Sequence, residues 1–101
     1  MELTFDELIE NIHGWADEKG LIKPEYVKSQ FVKVIEELGE AASAITKNQR
    51  DELIDGLGDT FVTIIILTMQ CGLTPQEVLN VAWDEIKDRK GKTTGGVFIK
   101  Q

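Results

Sequence analysis

Apolar residues recur at helical spacing along most of the chain. Phe5, Leu8, Ile9, Ile12 and Trp15 follow Thr4, which forms a capping-box pattern with Glu7, so a first helix is expected from about Thr4 to Lys19, ended by Gly20. Pro24 suits the first turn of a second helix, with Tyr26, Val27, Phe31, Val34, Ile35, Leu38, Ala41, Ala42 and Ile45 as its apolar stripe. Gly39 inside that helix costs about 1 kcal/mol relative to alanine, which implies a close packing partner. Asn48 is the expected N-cap of a third helix that stops at Gly72, after Cys71. Thr74, Pro75 and Glu77 announce a fourth, running to about Lys90 with Val78, Leu79, Ala82, Trp83 and Ile86 turned inward. Gly91 closes it, and Gly95-Gly96 lead a short apolar end, Val97-Phe98-Ile99, expected to lie extended against the domain or a neighbouring subunit.

The third helix is the least secure by propensity, because Phe61 to Met69 is rich in β-branched residues that would also suit a strand. The length from cap to glycine and the spacing of the acids before it favour a helix. Such a helix is apolar nearly all round and needs cover on every side, which a chain of 101 residues rarely supplies alone. The expectation is an all-α, four-helix bundle-like fold, one domain over residues 1–101, with a short extended tail.

Charge narrows the function classes. The net charge of −7 disfavours unaided binding to a nucleic-acid backbone, and a polyanionic substrate would need metal ions or a local basic patch. One such patch exists: Lys87, Arg89, Lys90, Lys92 and Lys100 stand against a single acid, Asp88, after residue 86. A single cysteine, a start with no basic region before an apolar run, and no apolar stretch near the roughly 20 residues of a membrane span point to a cytoplasmic protein without a membrane partner. His13 reads as a surface or packing residue. Trp15 belongs in the core or an interface, with base stacking as its alternative use.

The chemistry concentrates between Val34 and Asp59. Glu36, Glu37 and Glu40 occupy one sector of the second helix, and Glu52, Asp55 and Asp59 one side of the third. Like charges so placed repel, so a cation is expected between the two stripes. Carboxylates without histidine or cysteine suit a hard divalent ion, Mg²⁺ or Mn²⁺. On its own helix the first cluster could equally be a solvated face, whereas the second continues onto Thr63 and Ile66 and so turns inward.

Glu36-Glu37-Leu38-Gly39-Glu40, followed by a helix containing Gly58-Asp59, resembles the MazG-like all-α nucleotide pyrophosphohydrolases, whose motif pairs an EExxE helix with an ExxD helix. The flanks, Trp15 to Leu21, Thr60 to Leu73 and Ile86 to Thr93, are similar to phage and Firmicute-type members. The resemblance implies a four-helix, Mg²⁺-dependent, usually oligomeric enzyme, a homodimer or homotetramer, that hydrolyses a nucleoside triphosphate to the monophosphate and pyrophosphate. By the same analogy Glu37, Glu40 and Asp59 are metal ligands, and Glu36 is a further ligand or orients the attacking water; Glu36 and Glu37 are the catalytic candidates. Lys33, Lys87 and Arg89 are candidates for phosphate contacts.

One position departs from the motif. The ExxD glutamate falls on Gly56, and Asp55, or with less support Glu52, is expected to supply that carboxylate. Two other readings stay open: a related pyrophosphatase acting on a phosphoribosyl-nucleotide, and a non-catalytic acidic helical oligomer that binds a protein partner.

Overall fold

The computed structural model describes residues 2–101. Helix α1 (Phe5–Glu18) opens on the expected capping box, Thr4 accepting from the Glu7 amide while the Glu7 carboxylate accepts from the Thr4 amide. A 3₁₀ turn (Pro24–Tyr26) leads into α2 (Val27–Thr46), then come α3 (Arg50–Gln70) and α4 (Pro75–Ile86). Thr74 and Glu77 repeat the capping box at α4. A two-stranded antiparallel hairpin, β1 (Gly91–Thr94) and β2 (Val97–Lys100), ends the chain. The all-α expectation holds, with four helices and this one small sheet.

The antiparallel pair α2–α3 is the centre of the fold, and the other helices pack against α3. The turn between them corrects one expectation. Asn48 does not cap α3: it sits in the left-handed region (φ 55°), its amide donating to Ile45 and the next amide, of Gln49, to Ala44. Those two bonds are a Schellman ending for α2, where asparagine tolerates the conformation better than most residues. The N-cap of α3 falls to Gln49, whose side chain makes no capping bond.

The register of the pair is pinned at two points. The Gln30 amide donates to the Thr63 carbonyl at 3.0 Å, and at the far end Gly56 lies against the backbone of Ala41. A Cβ at Gly56 would sit 3.2 Å from Ala41 Cα and 3.4 Å from its nitrogen, so the close approach expected at Gly39 occurs at Gly56 instead; among the described residues no neighbouring element lies within 4 Å of a Cβ added at Gly39. Gly56→Ala therefore forces the helices apart. Overpacking of about 1–3 kcal/mol exceeds the gain of about 1 kcal/mol in helix propensity, and the urea midpoint should fall with an unchanged slope.

Polar residues enter the α2–α3 contact because their hydroxyls bond their own helix. Thr60 Oγ1 donates to the Gly56 carbonyl at 2.7 Å and Thr63 Oγ1 to the Thr60 carbonyl at 2.8 Å. Buried Gln70 ties α3 to the loop after α1, donating to the Leu21 carbonyl.

Two further expectations change. The tail is not a lone extended segment: Gly95 and Gly96, both at positive φ, make the two-residue turn that folds Val97–Lys100 back on Gly91–Thr94. Nor is the apolar face of α4 turned into a core. Leu79, Trp83 and Ile86 remain exposed, α4 stops at Ile86 rather than Lys90, and Trp15 is 51% exposed. Among the described residues no large side chain is completely buried.

Candidate functional site

Antiparallel pairing brings the two acidic stripes to the same side of α2–α3. With Ala41 against Gly56, Glu37 lies across from Asp59 and Glu40 across from Asp55. A cleft of about 310 Å³ opens there, lined by Glu40, Ser43, Glu52, Asp55 and Gly56. Ser43 was not singled out by the sequence reading. Its signal is its place one turn after Glu40 on the same face.

The three glutamates of α2 have different fates. Glu36 and Glu40 are exposed, whereas Glu37 retains only 7% of its surface. Glu37 Oε1 pairs with Lys33 at 3.3 Å, and its Oε2 has no hydrogen-bond partner among the described residues. A buried carboxylate oxygen without a partner is costly, and buried charges are ordinarily paired or bound to a metal. Lys33 also reaches Glu36 at 3.6 Å. The bond from Glu37 and the charges of Glu37 and Glu36 hold the Lys33 ammonium above its ordinary pKa, while its own side chain stays 54% exposed.

On α3, Glu52, Asp55 and Asp59 are exposed, and the inward turn expected of this stripe begins only at Thr60 and Thr63, which are buried. The Asp59 carboxyl is pushed above its ordinary 3.8, first by its partial desolvation, then by repulsion from Asp55 and Glu37, with Lys33 acting the other way. The acids of both helices thus share one field. An acid whose folded-state pKa is raised binds more protons folded than unfolded, so stability declines as pH rises from about the unfolded value upward through the folded one. In a chelator, Asp59→Asn should gain in denaturation midpoint relative to the wild type as pH rises above 3.8, because the variant lacks the carboxyl whose ionisation is disfavoured in the folded state.

Glu40, Glu52 and Asp55 line the cleft, Glu37 and Asp59 lie outside its lining, and no three carboxylates among the described residues converge as a ready-made metal site. The donor set is nevertheless all oxygen, and Glu37 Oε2 offers an unused lone pair. That fits Mg²⁺, which keeps several waters and takes one or two carboxylates, better than an ion needing a full protein cage.

The other candidates are not gathered here. Lys87 pairs with Asp84 at 3.2 Å and Arg89 with Glu85 at 3.4 Å, all on or just beyond α4. Trp15 lines an apolar groove with Leu8, Asn11, Ile12 and Val62 between α1 and α3. Among the described residues no single helix is long and apolar enough to cross a membrane.

The profile of the MazG nucleotide pyrophosphohydrolase domain matches residues 27–93, from the first residue of α2 into β1. An uncharacterized 18.2 kDa protein from the rep-hol intergenic region of Haemophilus phage HP1 (strain HP1c1) is 41% identical over 64 residues, covering 63% of this chain. The alignment spans 39% of that relative's length. No solved structure matches.

Proposed function

Because the chain belongs to the MazG nucleotide pyrophosphohydrolase domain family, we propose that it hydrolyses a nucleoside triphosphate, NTP or dNTP, to the monophosphate and pyrophosphate with Mg²⁺ or Mn²⁺. The observation that carries this reading is Glu37, buried one turn before the cleft residue Glu40 and within the field of Asp59, with one carboxylate oxygen unpartnered among the described residues.

Glu37, Glu40 and Asp59 would hold the cation, with Asp55 ahead of Glu52 as the replacement for the carboxylate absent at Gly56. Asp55 both lines the cleft and acts on Asp59, whereas Glu52 only lines the cleft. When bound, a divalent cation offsets the charge of the acids and of the phosphates, which an acidic chain could not otherwise approach. Glu36, exposed beside Lys33, would be a further ligand or would orient the attacking water and accept its proton. The water oxygen bonds to the α-phosphorus, the bridge to the β-phosphate breaks, and pyrophosphate leaves with the electron pair. Lys33 pairs directly with Glu36 and Glu37; Lys87 and Arg89, paired with Asp84 and Glu85, keep further N–H donors that could serve phosphate oxygens. Trp15 is the remaining candidate for the base.

Pyrophosphate release from a panel of NTPs and dNTPs with and without Mg²⁺ tests the proposal. Metal-dependent turnover of at least one nucleotide, lost in Glu40→Gln, is the expected result. No turnover of any nucleotide, with thermal stability unaltered by Mg²⁺, overturns it in favour of a non-catalytic binding protein.

A further inference from the structure

Among the described residues, one ammonium makes both of the ion pairs found on α2 and α3. Lys33 Nζ lies 3.3 Å from Glu37 Oε1 and 3.6 Å from Glu36 Oε2. Its charge also reaches α3, where it opposes the repulsion that Asp55 and Glu37 exert on Asp59. Lys28, Lys47 and Arg50, the other bases of the two helices and the turn between them, make no ion pair among the described residues. Carboxylates from both helices therefore gather around a single positive charge, which is what two facing acidic stripes require.

A monovalent charge leaves that requirement half met. Glu37 Oε2 has no hydrogen-bond partner among the described residues. An ammonium held on Oε1 does not serve the other oxygen, whereas a divalent ion with its waters can engage both.

The two members of the pair differ in freedom. The Glu37 side chain keeps 9% of its surface, and that of Lys33 keeps 54% at the end of a flexible four-carbon stem. When a second cation competes for Glu37, the acid stays and the ammonium moves. So exposed an ammonium regains water readily, and little holds it against a doubly charged competitor. Its stem is rooted one helical turn, about 6 Å, before Glu37, so after leaving the acids it remains beside whatever the ion holds. We infer that in the metal-free protein Lys33 stands in for the divalent ion, bridging Glu36 and Glu37, and that it passes to a phosphate oxygen once the ion has taken its place. Lys33 is then a positioning residue in one state and an anion contact in the other. The inference rests on the divalent-ion reading of the site.

Mg²⁺ alone is the first probe, titrated by calorimetry in about 0.1 M salt, where exposed charges more than about 10 Å apart are screened. Lys33→Met should bind it about fivefold more tightly than the wild type, the scale of an exposed ion pair, because the competitor is gone. Lys28→Met and Lys47→Met remove the same charge from about 13–15 Å along the helix, and Lys33→Arg keeps the pair; all three should stay within about twofold of the wild type. In a chelator Lys33→Met should melt below the wild type, with Mg²⁺ closing the gap. At saturating Mg²⁺, inorganic pyrophosphate should bind Lys33→Met about tenfold more weakly, the scale of one hydrogen bond to a charged group. Mg²⁺ affinity that is unaltered or lowered in Lys33→Met, an equal gain in Lys28→Met, a melting gap that persists in Mg²⁺, or unchanged pyrophosphate affinity would each overturn the inference and leave the ion site standing. A wild type that binds no Mg²⁺ would overturn it together with the proposed function.

Discussion

Replacing Glu37 with glutamine should lower pyrophosphate release by about 10³-fold, the scale of losing a charged group that acts on the reacting centre, while leaving the metal-free protein folded and about as stable as the wild type. The loss is one of charge and not of shape. Glu37 brings a carboxylate into a site where only 7% of the residue is exposed, with Lys33 on one oxygen and, among the described residues, no partner on the other. Glutamine keeps the shape and removes the charge. The lost ion pair matters little to stability, because Lys33 is half exposed and such pairs contribute about 0–1 kcal/mol. The amide atom that replaces the buried oxygen is polar and equally without a partner, so glutamine removes the charge and leaves the unmet hydrogen bond, and little net change in stability follows. Denaturation in a chelator, run beside the pyrophosphate assay, separates the possibilities. A variant that is less stable than wild type and still turns over substrate would make Glu37 a structural ion-pair residue and nothing more.

Mg²⁺ should raise the melting temperature of the wild type by about 11–22 °C at a concentration near one hundred times the dissociation constant. Binding to the folded state alone contributes about 2.7 kcal/mol under that condition, and a domain of this size shifts by roughly 4–8 °C per kcal/mol. Asp55→Asn should remove most of the shift and Glu52→Gln only a part. The reverse order would assign the replacement carboxylate to Glu52. Acid should abolish the shift in the wild type, since protons compete with the ion for Asp59, whose pKa is already raised. A shift that is the same in wild type, Asp55→Asn and Asp59→Asn would mean that Mg²⁺ binds elsewhere on this acidic surface.

The legible parts of the site share a property. Glu36, Glu37 and Glu40 can be placed in one sector of a helix, and Glu52, Asp55 and Asp59 along one side of another, from about 3.6 residues per turn alone. That the stripes share a side follows once the helices are consecutive and antiparallel. Gly56 is a different case. Its missing side chain reads in sequence as a lost carboxylate, and only the contact with Ala41 reveals it as the point where the two helices touch. Asn48 misled because asparagine serves both helix beginnings and left-handed helix ends, and the choice depends on where α2 runs out.

Local chemistry in the sequence determined the four helices, since the capping boxes at Thr4 and Thr74 and the stops at Gly20 and Gly72 act within a turn or two of where they stand. It also determined the relative bearings of the acids on each helix. Tertiary structure alone decided how each helix is rotated about its axis. Helix α2 has two apolar stripes, Val34, Ala41 and Ala44 on one side and Phe31, Ile35, Leu38 and Ile45 on another, and periodicity cannot say which one meets α3. Packing at Gly56 selects the first, because only small residues permit that approach. The same rotation buries Glu37 and leaves Glu36 and Glu40 in the open, so the environment of each carboxylate was set by the fit between two helix surfaces that meet only when the chain folds.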